Sequence, residues 1–312
     1  MNDQSQSQHI PVLLNEVLDA LQVEAHSDGA FIDGTVGAGG HAAAILNTAP
    51  RSRLLGFDLD PRSLQIARDQ LAPFGDRVTL IHATHSEMGS IAPARGFDPV
   101  DGILLDVGVS SMHFDQADRG FAFKVEGPLD MRFDPGGNAP TAADLVNTLD
   151  ADELADILYN YGEERDSRRI ARAIIAARPL YSTTQLAQVI EKAHRGPREK
   201  IHPATRSFQA LRIAVNDELG AIERTLPQAI RLLRSGGRLA VISFHSLEDR
   251  IVKNLFRDEA TDCHCPPEQL ICICGHVASV ALITRKPITA TEAEIAANPR
   301  SRSAKLRVVE KL

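Results

Sequence analysis

Phe31-Ile-Asp33-Gly34-Thr-Val-Gly37-Ala-Gly39-Gly40-His41 is an apolar run that ends in a carboxylate and a glycine-rich turn, just before a helical pattern. It reads as strand, loop and helix around a nucleotide-like ligand. About one strand further on, Leu54-Leu55-Gly-Phe57-Asp58-Leu-Asp60-Pro61 supplies the acid that such folds place near the hydroxyls of an adenosine ribose.

The glycines alone do not separate cofactors. Gly37-x-Gly39-x-x-Ala42 fits the loose dinucleotide pattern, so a nicotinamide enzyme stands beside any other reading. Charge decides between them. A dinucleotide brings a diphosphate to this turn, and Asp33 would repel it; S-adenosylmethionine (SAM) brings an ammonium and a sulfonium, which Asp33 attracts. Asp33 therefore favours SAM. Its plainer role, capping the turn through backbone N–H groups, leaves Asp58 and a third acid, Asp106, unexplained.

With 312 residues the chain has room for one large domain or two ordinary ones and a substantial core. No apolar run approaches the roughly 20 residues that span a bilayer, and Met1-Asn-Asp-Gln-Ser-Gln-Ser-Gln8 is polar rather than signal-like, so a cytoplasmic location is expected. The net charge of -7 gives no overall attraction to nucleic acid. It is unevenly placed, however. Residues 163 to 212 hold 11 Lys/Arg against 5 Asp/Glu, a local +6, and the remainder holds 23 against 36, or -13. An acidic body thus carries a basic segment, which reads either as a solvated helix face or as a nucleic-acid surface.

Four strand candidates, 30–33, 53–58, 77–82 and 101–106, alternate with helical stretches. The alternation predicts an α/β fold with a doubly wound, mostly parallel sheet. A fifth strand, 238–244, follows Gly236-Gly237, which ends a helix at Leu233. About 130 residues separate strands four and five, far more than one crossover needs, so most of the interval is an insertion. The insertion is helical. Leu154, Ile157, Leu158 and Tyr161 follow an Asp150-x-x-Glu153 capping box, and Leu186, Val189 and Ile190 follow Ser182-x-x-Gln185. Phe208, Leu211, Val215, Leu219 and Ile222 continue as one stripe leading back to the sheet. Residues 281–284 and 304–309 are expected to finish the sheet. The expected division is a discontinuous SAM-binding domain, 1–133 with 214–312, and an inserted RNA-recognition domain, 134–213.

Ligands of open α/β sheets bind outside the carboxyl ends of the strands. Three strands end in acids there: Asp33, Asp58 and Asp106, an arrangement that costs electrostatic energy unless a cationic or hydroxyl-rich ligand neutralises it. Asp106 opens Asp106-Val-Gly108-Val-Ser110-Ser111, where a substrate would meet the cofactor; a loop carboxylate accepting backbone N–H bonds is the duller role. His245, at the fifth strand's end, is a hydrogen-bond donor, a base or a helix cap. In Arg119-Gly-Phe121-Ala-Phe123…Gly127-Pro-Leu-Asp130-Met-Arg132-Phe133, aromatics interleave with charges, as in a base-stacking surface or as buried loop packing. All four cysteines fall in Cys263-His-Cys265…Cys272-Ile-Cys274. Paired Cys-x-Cys units suit a structural tetrahedral zinc without an open catalytic position; free thiols are the alternative, because the spacer is tighter than common zinc-ribbon spacings.

These motifs together resemble the bacterial small-subunit (16S) ribosomal RNA methyltransferases that act on the exocyclic N4 amine of a cytidine in the decoding region. The resemblance runs from His9-Ile-Pro-Val-Leu-Leu14 through Ile32-Asp-Gly-Thr35, Gly39-Gly-His41, Leu104-Leu-Asp-Val-Gly-Val-Ser-Ser111, Arg119-Gly-Phe121 and Pro128-Leu-Asp-Met-Arg132. It continues through Tyr161-Gly-Glu-Glu-Arg165, His202-Pro-Ala-Thr-Arg206 and Ile242-Ser-Phe-His-Ser-Leu-Glu-Asp-Arg250, nearly the whole chain. It implies a helical domain inserted into a SAM-binding one, with cofactor contacts at Gly39, Gly40, His41, Asp58 and Asp106. Two further contacts fall where this sequence departs from the family: His85 stands in place of a common Phe, and His113 in place of a common Gln. Either can still stack on or hydrogen-bond to an adenine.

Asp106 is the expected proton acceptor, with Ser110 or His245 assisting. The expected partner is 16S ribosomal RNA in the small subunit, gripped by Arg132, Arg168, Arg169, Arg172, Arg198, Lys200 and Arg206 around an unstacked base; a homodimer is left open. Competing readings are a nicotinamide oxidoreductase and a non-catalytic ribosome-assembly factor that binds RNA through the basic helices.

Overall fold

The computed structural model describes residues 11–109, 111–195, 201–266, 269 and 271–312. It divides into two compact units: the chain up to Gly108 together with Leu219–Leu312, and Val109–Glu218.

The first unit is built on seven strands: β1 (Ala30–Asp33), β2 (Arg53–Asp58), β3 (Val78–His82), β4 (Val100–Asp106), β5 (Leu233–Ser243), β6 (Val280–Leu282) and β7 (Lys305–Lys311). Their order is 3-2-1-4-5-7-6. The first five are parallel, whereas β7 runs antiparallel to β5 and β6 antiparallel to β7. The fold is therefore the doubly wound, mostly parallel α/β sheet expected from the strand–helix alternation.

Neighbouring residues on each central strand serve opposite faces, as the period of two requires. Ile32, Leu55, Ile103, Leu105 and Val241 bury one face against Met88, Ile222, Leu226 and Phe256. Phe31, Leu54, Leu104, Ala240 and Ile242 bury the other against Leu13, Val17, Ile45, Leu46 and Leu64. Both faces are covered, so these strands read as unbroken apolar runs. Each fully buried Leu, Ile or Phe contributes about 1.5–3 kcal/mol, enough in sum to hold the strand ends rigid where loops emerge. Strand β5 begins earlier than expected, at Leu233. Its register against β4 shifts between Val100 and Gly102, and Gly236 has φ +76°, so the Gly pair bends the strand's entry rather than preceding it.

The second unit is helical. Asp150 Oδ1 accepts from the N–H groups of Asp152 and Glu153 while Glu153 Oε2 accepts from Asp150 N–H, closing the capping box of the helix Ala151–Gly162. Ser182 and Gln185 do the same for Thr183–Ala193. The stripe from Phe208 to Ile222 is split: one helix ends at Asn216, Asp217 adopts left-handed φ +48°, and the next helix starts at Glu218. The unit is wider than the expected 134–213, because Phe121, Leu129 and Met131 pack into its core with Leu158, Ile174 and Phe208. Among the described residues no helix is long and apolar enough to cross a membrane.

Candidate functional site

The turn after β1 is stitched to the strand ends on both sides of it. Gly34 N–H donates to Leu104 O (2.9 Å) and Val36 N–H to Phe57 O (2.8 Å). Gly37 N–H donates to Asp58 Oδ2 (2.8 Å), and Asp106 N–H donates to Thr35 Oγ1 (2.6 Å). Gly37 and Gly39 hold φ of +53° and +92°, which L side chains adopt only with strain. A Cβ on Gly40 would lie 2.5 Å from Pro11 Cγ. The helix Gly40–Thr48 thus begins at a turn whose path depends on glycine.

Asp33, Asp58 and Asp106 close their strands on one edge of the sheet, near enough to act on one another. Asp33 is 1% exposed; loss of solvation, and then the charge of Asp58, push its carboxyl up to about 7 despite the N–H that Thr35 donates to Oδ1. Asp58 is held differently, accepting from Gly37 N–H at Oδ2 and from Asp60 N–H at Oδ1 (2.8 Å each). Burial first, then the charges of Asp33 and Glu248, push Asp106 up to about 8. Its side chain keeps 24% of its surface, so water tempers the burial contribution, but Oδ1 is fully sheltered and has no hydrogen-bond partner. Two neighbouring carboxyls of raised proton affinity, one with an unsatisfied oxygen, mark a place where a cation or an N–H donor is favourable.

Three histidines of the same unit lie along this edge. His41 Nε2–H donates to Val12 O (2.9 Å), which turns Nδ1 toward Asp106 Oδ2 at 3.8 Å. His85 Nδ1 is 2.6 Å from Thr225 Oγ1, whose own hydroxyl donates to Ala221 O. Nδ1 must therefore carry the proton and Nε2 is an acceptor. Burial, and then the charge of Arg224, drop this histidine to about 4, so it stays neutral. His245 stands at the N-cap of the helix Ser246–Glu259, with Nε2 3.0 Å from Glu248 Oε1, while Glu248 Oε2 accepts from Phe244 N–H (2.8 Å) and His245 N–H (3.2 Å). Glu248 is the acid that sequence reasoning missed. Its position three residues past His245 is a capping-box signal.

The remaining candidates belong to the helical unit or fall outside the described residues, as Ser110, Arg198 and Lys200 do. His113 is buried, its ring 4.8 Å from Phe121 and 5.2 Å from Phe133, and Phe123 packs on Phe208 and His202. The interleaved aromatics are loop packing rather than an open stacking surface. Arg132 is engaged within its loop, with two hydrogen bonds to Asp130 and one to Gly137 O. Arg169 is tied to Asp166 and to Ala193 O. Arg168 and Arg172 are exposed and, with Arg165, Tyr159 and Asn160, line a concavity of about 710 Å³ on the helices Ala151–Gly162 and Ser167–Ala176. Arg165, quoted in the sequence only as the end of the Tyr161–Arg165 motif and not as an RNA contact, lies in the turn just before the helix that carries Arg168 and Arg172. Arg206 is partly buried on the helix Ala204–Asn216. In the sheet unit, the four cysteines converge, their sulfurs all within 4.8 Å of one another.

A sheet in the order 3-2-1-4-5-7-6 with an antiparallel seventh strand, a glycine turn after β1 and an acid ending β2 defines the Rossmann-like fold class of the SAM-dependent methyltransferases. Residues 6–312 match the MraW methylase family, and the chain belongs to that family. It is 54% identical over 311 residues to the ribosomal RNA small subunit methyltransferase H of Heliobacterium mobile, covering 97% of this chain and 99% of the relative. The proteins of the same name from Geobacter sulfurreducens and Symbiobacterium thermophilum are 53% and 52% identical, covering 97% of this chain and 99% and 96% of theirs.

Proposed function

We propose that this chain is a cytoplasmic SAM-dependent methyltransferase that methylates the N4 amine of a cytidine in the decoding region of 16S ribosomal RNA. The observation that carries the reading is the acidic edge of the sheet, where Asp33, Asp58 and Asp106 end neighbouring strands, burial raises the proton affinity of Asp33 and Asp106, and Asp106 Oδ1 lacks a donor. A cationic ligand with N–H groups relieves both conditions. The names of the relatives support ribosomal RNA as substrate, and membership in a methylase family leaves the nicotinamide alternative without support.

SAM supplies a methyl group on a positively charged sulfur. Asp33 would face its ammonium and Asp58 would accept from its ribose hydroxyls, beside a turn formed by Gly39, Gly40 and His41. His85 Nε2 is an acceptor suited to the amino group of an adenine, a role the more usual phenylalanine cannot fill. The cytosine amine is a weak nucleophile because its lone pair is delocalised into the base. Asp106, once ionised, would accept a hydrogen bond from that amine and take up its proton as the methyl group is transferred. Ser110 is the assisting group that the sequence proposes. His245 acts through Glu248, whose charge is one cause of the raised proton affinity of Asp106. Arg165, Arg168 and Arg172 bind RNA phosphates; Arg198, Lys200 and Arg206 are further candidates from the sequence, whereas Arg132 and Arg169 are engaged within the unit and act mainly to hold it.

The test is transfer of labelled methyl from SAM to purified small subunits and to free 16S ribosomal RNA, followed by mapping of the modified nucleotide. Label on a cytidine N4 supports the reading. RNA binding without any transfer would favour an assembly factor instead.

A further inference from the structure

The methyl-transfer chemistry makes no use of the loop between the helix Ser246–Glu259 and β6, which nonetheless gathers every cysteine of the chain. Four sulfurs from two Cys-x-Cys units meet there. Cys263 and Cys272 are 3.4 Å apart, Cys272 and Cys274 3.5 Å, Cys263 and Cys274 3.8 Å, and Cys265 and Cys272 4.0 Å. A tetrahedron of thiolates about 2.3 Å from a central zinc has edges of about 3.8 Å, so the spacing is that of four ligands on one small ion. It is too long for a disulfide, whose sulfurs are bonded at about 2.05 Å. An iron–sulfur cluster spreads its cysteines over several irons and needs wider corners.

Two features beyond the distances point the same way. Backbone N–H groups of Cys265 and Ile273 donate to the sulfurs of Cys263 and Cys265, both at 3.4 Å, and amides aimed at sulfur stabilise the thiolate that a metal requires. Among the described residues, the large aliphatic side chains of the loop are exposed. Ile271, Ile273 and Val277 are 76%, 77% and 74% exposed. Burial of these side chains therefore does not bring the four thiols together, whereas a metal would.

We propose that Cys263, Cys265, Cys272 and Cys274 bind one zinc ion that serves as a structural clamp. With four protein ligands the ion has no open position, so it fastens the loop and takes no part in methyl transfer. His276 Nε2–H donates to Asp258 O (3.2 Å) and Ser279 N–H to Glu259 O (2.8 Å), which joins the clamped loop to the end of the preceding helix.

The full-length protein, expressed with zinc in the medium and dialysed, is expected to retain one zinc per chain by elemental analysis. Exchange with Co²⁺ is expected to give the sulfur-to-cobalt charge-transfer and intense visible bands of a tetrahedral thiolate site. Cys272→Ser and Cys274→Ser are expected to lose the metal while SAM binding changes less than twofold. Should a variant fail to fold, a mercurial titration of the wild-type protein replaces it: zinc must be released in step with thiol modification, and subtilisin, which needs no Lys or Arg in a loop that has none, must then cut residues 263–276 at least tenfold faster. Four freely titrating thiols without metal, two disulfides, stoichiometric iron in place of zinc, or unchanged zinc in both variants would each overturn the proposal.

Discussion

Thr35 Oγ1 accepts a 2.6 Å hydrogen bond from the backbone N–H of Asp106, 71 positions away, while its own N–H donates to Asp33 Oδ1 at 3.1 Å. One residue thus orients both carboxyls whose proton affinity is raised. Thr35→Val keeps the shape but removes the acceptor, leaving a sheltered amide without a partner at a cost of about 1–3 kcal/mol. Thr35→Ser keeps the acceptor and is expected to stay near wild type. Thermal denaturation read beside calorimetric titration with SAM checks this: the valine variant melts several degrees lower and binds about tenfold more weakly.

Asp33 gives a pH dependence whose sign follows from its position. Its carboxyl titrates near 7 when folded and near 3.8 when unfolded, so the folded state holds the extra proton between those values. Stability is then full below about pH 4, falls as pH rises toward 7, and levels off above. Asp33→Asn removes that loss. The gap sets a ceiling of roughly 4 kcal/mol at about 1.4 kcal/mol per tenfold, so the variant is expected to be more stable than wild type in urea at pH 8 and little different at pH 4. The same change is expected to weaken SAM binding at least tenfold. A variant no more stable at pH 8 contradicts the burial of this charge.

Proton release on donor binding is the companion measurement. A cation settling against Asp33 and Asp106 drives off protons that they hold at pH 7, so affinity rises with pH by up to about tenfold per unit for each proton released. The amine of SAM titrates too, which makes the informative quantity the difference between wild type and Asp33→Asn. Calorimetry at pH 7 in buffers of different ionisation enthalpy is expected to give a larger proton release for the wild type. Equal release from both proteins would remove Asp33 from the donor site.

Much of this chemistry was legible before the fold was known, for local reasons. A strand ending in Asp beside a glycine turn, and the boxes Asp150-x-x-Glu153 and Ser182-x-x-Gln185, are short-range signals that tertiary contacts did not override. What escaped the sequence depended on partners distant along the chain. The charge of Glu248 on Asp106, and the neutrality of His85 beside Thr225 and Arg224, come from segments more than 130 positions away. The stripe from Phe208 to Ile222 looked continuous because apolar spacing does not register the left-handed turn at Asp217. For Phe121 and Phe123 the sequence left stacking surface and loop packing both open, because an alternation of rings and charges is the same whether the rings face water or a core.

Asp106→Asn separates the acceptor's chemistry from its place in the structure. Asparagine keeps the size and can still accept a hydrogen bond at Oδ1, but it takes up no proton. Turnover is expected to fall about 10²–10³-fold, in the range of a lost general base, with the Michaelis constant for RNA nearly unchanged. Near-normal turnover with normal SAM binding would show that the proton leaves by another route.

The basic concavity yields to a salt experiment. Arg168 and Arg172 are exposed beside Arg165, whereas Arg169 is bound to Asp166, so the first two are available to phosphates and the third acts mainly to hold its helix. For single-stranded RNA each neutralised phosphate contributes about 0.7 to the slope of log affinity against log salt. Arg168→Gln combined with Arg172→Gln is therefore expected to lower that slope by about 1.4 and to weaken binding several-fold to tenfold at moderate salt, similarly for unrelated RNA sequences. Turnover at saturating RNA is expected to stay within twofold, because phosphate contacts position the chain and take no part in methyl transfer. Arg169→Gln is expected to lower thermal stability with a smaller change in slope. If the double variant and wild type show the same salt slope in filter binding, the RNA lies elsewhere on the surface.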